Sequence, residues 1–174
     1  MEQAVQFDAD DPDGLARGMA KLEMASPLIP AGYRYWDSRR RGRLMPAREE
    51  LDPLIDIPRL TPQIILFDVR HDPLDFRFRL IGSRVRPNFA RDYVGKWFSE
   101  IPNYDTTSTI WPRHKLQVEN NLPMLQRPNY VGPHKEFVAV ENVLLPLSVT
   151  QPGWSMQIMF IEFVRKKLPD LRGR

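Results

Sequence analysis

Cysteine is absent from the 174 residues. Disulfide staples, thiolate nucleophiles, cysteine–zinc sites and the cysteine adduct of flavin-based light sensors are therefore excluded, and a reducing cytoplasm is the expected setting. Long apolar runs are also missing: none approaches the roughly 18 residues of a membrane span. Near the start, Asp8, Asp10, Asp11 and Asp13 stand where a secretory leader would be basic and then apolar. A large excess of one charge sign is missing as well. The 25 basic and 22 acidic residues are interspersed and leave only +3, which is not the footprint of a nucleic-acid binder. The nine glycines form neither a Walker-type nor a dinucleotide-binding pattern.

What is present suits one folded domain. A 42% hydrophobic and 10% aromatic composition supplies enough apolar area to offset the entropy of ordering the chain. The length fits a single core with extensions, domains clustering near about 100–150 residues. The expected division is an N-terminal arm over 1–30, partly helical or loose, one domain over 31–166, and a tail over 167–174.

Hydrophobic periodicity then places the elements. Leu15, Met19 and Leu22 recur at helical spacing and suggest a short helix over 14–24. A second helix runs from Ala31 to about Gly42, with Tyr33, Trp36 and Arg40 along one side. A third is expected over 57–60, capped by Asp56. Residues 64–70, rich in β-branched and large apolar side chains, and 75–82, alternating Phe76, Phe78 and Leu80 with Arg77 and Arg79, read as strands. The turn chemistry of 72–75 joins them in a hairpin. Short helical pieces follow, then a helix within 106–121 that starts near Trp111 because of Pro112. Strands return at 124–131, 136–147 and 154–166, the last two joined by a Thr-Gln-Pro-Gly turn. Two strands, helices and three strands imply an α+β fold: a five-stranded antiparallel sheet with short helices between strands 2 and 3 and an N-terminal helical cap.

Local wording narrows this further. Tyr35-Trp36, Gly42, Pro46-Ala47-Arg48, Asp52-Pro53, Ile57-Pro58, the strand over 64–69, Phe76 through Gly82 and Asp92-Tyr93-Val94-Gly95 resemble a proteobacterial PAS-like family, long described as a domain of unknown function. The resemblance covers about 33–163. It implies a PAS-like fold and a sensory or regulatory role in signal transduction, with a small, partly apolar ligand or a signalling protein as partner and no catalysis. A ligand-free interaction or dimerisation module is the alternative, and an enzyme of unknown type a third. Fold analogy speaks only weakly to function.

Site expectations follow. In haem-binding PAS modules the helix before the third strand carries an axial histidine, where this chain has His114; a plain histidine beside Arg113 and Lys115 is the preferred reading. By strand alternation the pocket-lining set is Phe76, Phe78, Leu80, Trp111, His114, Met156, Ile158 and Phe160. Trp36, Pro46, Arg48 and Asp52 form a structural motif in which Asp52 holds Arg48. Arg39, Arg40, Arg41 and Arg43 are candidates for an anionic partner or for a solvated helix end. His71 and His134 lie too far apart in sequence to read as a metal site. No serine or threonine carries the local signature of a nucleophile. The last strands are apolar on both faces, so a helix or a second copy must cover the second face, which points to a homodimer.

Overall fold

The computed structural model describes residues 3–167. Its order is β1 (Gln3–Gln6), α1 (Gly14–Lys21), α2 (Leu28–Arg40), α3 (Pro53–Asp56), β2 (Ile64–His71), β3 (Leu74–Ile81), α4 (Trp111–Asn120), β4 (Met124–Arg127), β5 (Phe137–Leu147) and β6 (Trp154–Arg165). The strands form one antiparallel sheet in the order β1-β4-β5-β6-β2-β3. The α+β class, with two strands, helices and then three strands, is as expected. The sheet has six strands rather than five, because β1 pairs with β4 in the register Gln3↔Arg127 to Gln6↔Met124. Gln-Ala-Val-Gln carries little strand signal of its own; the pairing is supplied by β4, whose outer edge would otherwise present unpaired backbone groups.

Residues 3–30, within the stretch expected as an arm partly helical or loose, pack onto the sheet as β1, α1 and the start of α2. Phe7, Leu22, Leu28 and Ile29 are buried in the core. The second helix begins at Leu28, three residues before the expected start, with Pro30 in its first turn, where a missing N–H costs nothing. It ends where Arg41 (φ 51°) and Gly42 (φ 74°) turn left-handed. The helix expected over 57–60 is displaced: α3 lies one turn earlier, with Pro53 in its first turn and the Asp52 carboxylate accepting from Ile55 N at 3.3 Å. The chain has two proline-led starts here, and Asp52 caps the first. β4 stops at Arg127 because Pro128 has no N–H to continue the ladder. The tail expected over 167–174 lies, apart from Lys167, outside the described residues.

Both faces of the sheet are covered. Under α1 and α2 lies one core layer containing Ile29, Trp36, Leu66, Leu125, Val143, Leu145, Ile158 and Phe160. Trp36 is fully buried and its Nε1 donates to Pro146 O at 2.8 Å. Helix and sheet approach closely at Gly32, where a Cβ would sit 2.3 Å from the Phe160 ring. Glu141, buried on β5, accepts from the backbone N–H of Ala25 (3.1 Å) and Ser26 (2.9 Å), and Arg127 Nε donates to it at 3.3 Å. One carboxylate thus ties the chain before α2 to the sheet. The second layer, on the opposite face, is aromatic: Phe67, Phe76, Phe78, Phe98 and Trp111 pack with Leu144, Met159 and Ile161.

One irregularity redirects a side chain. Between Leu66 and Phe67 the β2–β3 register shifts, so Phe67 faces Phe78 while Leu66 faces Leu80. The extra residue reverses the alternation: Phe76 and Phe78 point into the aromatic layer, Ile81 joins them, and Leu80 turns to the other face, 40% exposed.

Candidate functional site

α4 crosses the aromatic face of the sheet with Trp111, His114 and Gln117 turned inward at i, i+3 and i+6. Beside it the segments 86–93, 98–110 and 128–132 surround a cleft of about 360 Å³. Its floor is the sheet: Ile65 and Phe67 of β2, Phe78 of β3, Gln126 of β4, Val140 and Asn142 of β5, and Met159, Ile161 and Phe163 of β6. Its rim is held by polar contacts. Tyr130 Oη donates to Asn88 O at 3.0 Å, and His134 Nε2 lies 2.8 Å from Pro87 O, which makes that nitrogen the protonated one. The two loops that flank the opening are thereby tied together. Tyr104, enclosed beside Phe78 and Phe98, has its phenol pushed well above the usual range by burial.

The polar groups of the inner wall form a defined chain. Gln157 Nε2 donates to the His114 carbonyl (3.1 Å) and to Gln117 Oε1 (2.6 Å), so its Oε1 must face His114 Nδ1, 2.7 Å away. Nδ1 carries the proton and Nε2 the lone pair. Burial, opposed by the Gln157 hydrogen bond, depresses the imidazole from 6.5 to about 4, so the ring is neutral at physiological pH. Gln126 and Asn142 face each other across β4 and β5. Both are buried, and Gln126 Nε2 and Asn142 Oδ1 have no hydrogen-bond partner among the described residues.

The eight side chains expected around a pocket separate into three groups. Phe78 and His114 line the cleft. Phe76 and Trp111 pack behind them, their rings 5.1 Å apart, without forming its wall. Met156, Ile158 and Phe160 lie on the other face beneath α2, and Leu80 is carried there by the register shift. The last strand presents Met159, Ile161 and Phe163 to the cleft instead. With apolar residues on both faces, its alternation contains no information about which face is which. Gln126 and Asn142 were missed, although Glu141-Asn142 in the middle of an apolar strand was a visible anomaly.

Other expected roles change when partners are seen. Arg48 is not held by Asp52: its Nη1 donates to Leu51 O at 2.8 Å, while Asp52 caps α3. The motif is anchored by backbone instead, with Ser148 N donating to Pro46 O (3.1 Å) and Arg48 N to Ser148 O (2.9 Å). Within the arginine run, Arg40 is buried against Asp37, Asp10 and the Ala9 carbonyl. Arg39 pairs with Asp56 at 2.8 Å, and Arg43 pairs with Glu50. Arg41 and Arg43 are the exposed members. A haem does not fit the residues around His114. Its macrocycle must lie across the ligating nitrogen, and Phe67, Phe76 and Phe98 close on the imidazole with ring centroids at 4.6–5.2 Å. His71 bonds Ser155 and His134 sits at the cleft rim; among the described residues no three metal-ligating side chains cluster.

A mixed helical cap, a central antiparallel sheet and a cleft between its face and a helix define the PAS class of sensory and regulatory domain. The family model described as a PAS domain matches residues 24–159, most of the chain, and the chain belongs to that family. No curated protein and no solved structure matches it. No helix among the described residues is long and apolar enough to cross a membrane.

Proposed function

We propose that the chain is a regulatory module that binds a small, partly apolar molecule in the cleft beside α4 and performs no chemistry on it. The observation that carries this reading is the cleft itself: about 360 Å³, walled mainly by aromatic and aliphatic side chains, with polar groups such as Arg113, His114, Gln126 and Asn142 among them. Small-molecule sites have this composition and run from roughly 300 to 1,000 Å³. Occupancy would be felt at the rim, where Tyr130–Asn88 and His134–Pro87 join the two flanking loops. The absence of catalysis is supported by His114, whose one N–H is committed to Gln157 and whose neighbours are aromatic rings.

The test is native mass spectrometry of the protein purified from its own host, compared with the denatured mass, and an absorption spectrum. A non-covalent mass that vanishes on denaturation is expected. A protein that carries no added mass and gains no thermal stability from any small-molecule library would remove the sensor reading.

One observation favours the interaction module as a second reading. Leu44, Leu54 and Ile55 on the helical cap are 58–76% exposed, and the cap also displays Arg41. A partner or a second copy would cover them; light scattering of the purified chain, compared with a Leu54→Ser/Ile55→Ser variant, tests the homodimer.

A further inference from the structure

Buried amide groups nearly always find a partner, and an orphan in a native core marks a missing water, ion or ligand. Among the described residues the buried side-chain atoms without one are Arg39 Nε, Gln126 Nε2 and Asn142 Oδ1. Arg39 belongs to the cap, where its other nitrogen pairs with Asp56. The remaining two belong to one place: Gln126 and Asn142 are register partners in β4 and β5, both in the cleft wall. Side chains directly opposite on one face stand with Cβ atoms about 4.5–5.5 Å apart. Arg113 Nη1 lies 3.4 Å from Gln126 Oε1, which turns the oxygen of that amide toward the guanidinium and leaves the NH2 over. The rung therefore holds one spare donor beside one spare acceptor, in a cleft that Phe67, Phe78, Met159 and Ile161 line together with Arg113 and His114.

Resting on the ligand-binding reading, we infer that the ligand is an uncharged one- or two-ring molecule with a carbonyl adjacent to an N–H, as in a lactam, cyclic imide or cis-amide. Its carbonyl accepts from Gln126 Nε2 and its N–H donates to Asn142 Oδ1. A hydrocarbon leaves both amide atoms unpaired, and a carboxylate, although the Arg113 guanidinium in the same wall attracts it, sets a lone pair against Asn142 Oδ1 and brings no donor; either loses a hydrogen bond that the rung is arranged to make. The cleft volume, near the lower end for small-molecule sites, sets the ring count.

Three probes of matched shape decide the matter: quinolin-2(1H)-one, its N-methyl derivative, which lacks the donor, and 2-naphthoate. Titration into the full chain, followed by calorimetry and by the side-chain amide NMR signals of Gln126 and Asn142, is expected to favour the lactam over both others by at least about tenfold, with both amides shifting. In Asn142→Leu, or in Asn142→Met should the first fold poorly, the lactam falls to the level of its N-methyl derivative. Tighter binding of 2-naphthoate, equal binding of the N-methyl compound, or an unchanged preference in the variants overturns the ligand class and leaves the cleft reading standing. A fixed bridging water would give the second of these results. Failure of all three probes to bind overturns this ligand class, while the cleft reading stands or falls on the mass-spectrometry and library test above.

Discussion

A single histidine shows how a side chain's meaning depends on its surroundings. His114 stands next to Arg113 and Lys115 in sequence, a setting that suggests a partly exposed ring. In the fold it is buried, edge-on to Phe67 and Phe98 and tilted against Phe76, with Gln157 on Nδ1. Its pKa, lowered by burial from 6.5 to about 4, couples to stability with a definite sign. Between those values the unfolded chain takes up a proton that the folded chain refuses, so stability falls as pH drops from 6.5 and levels off below about 4. The loss over that window is about 3 kcal/mol. Denaturant midpoints measured from pH 7 to pH 4 are expected to fall for the native chain. The part of that slope due to this ring should be missing in His114→Gln; an identical slope in the variant would show that other groups carry the acid sensitivity. Arg40 teaches the same lesson in reverse: one of four arginines in a run, it is buried in hydrogen bonds to Asp37, Asp10 and the Ala9 carbonyl, which local charge counting does not foresee.

Among the elements, the strands were the most legible. Their expected ranges 64–70 and 75–82 fall on β2 and β3, and 136–147 and 154–166 on β5 and β6, within a residue or two, because period-two alternation and flanking turn residues are local signals. Helix starts were less so, since Pro27, Pro30, Pro53 and Pro58 each offer one. The segment between α1 and α2 illustrates a connection invisible in sequence. Glu141, in the middle of an apolar strand, holds the amides of Ala25 and Ser26. Glu141→Ala leaves two N–H donors and Arg127 without their acceptor and is expected to cost about 2–4 kcal/mol. Limited proteolysis should then cut within residues 22–28. A melting point lowered without new cleavage would mean that the packing of Leu22, Leu28 and Ile29 alone keeps the segment in place.

For the whole molecule, the N-terminal strand closes one edge of the sheet. Deleting residues 1–6 uncovers β4, removing a short ladder at a cost of about 2 kcal/mol, and the bare edge becomes a template for another chain. Light scattering is expected to find larger species in the shortened protein than in the full chain at equal concentration; an unchanged size and melting curve would make β1 dispensable. The sequence by itself determined the α+β class, the order of the last five strands, and the hairpin turns, since each is written in neighbouring residues. The tertiary structure alone decided that β1 joins the sheet, that a register shift turns Leu80 away, and that Met159 and Ile161 rather than Ile158 and Phe160 face the cleft. It also decided that Gln126 meets Asn142. The reason is physical: a strand apolar on both faces has no preferred side until helices are laid against it, and a cross-strand pair exists only once a register is chosen.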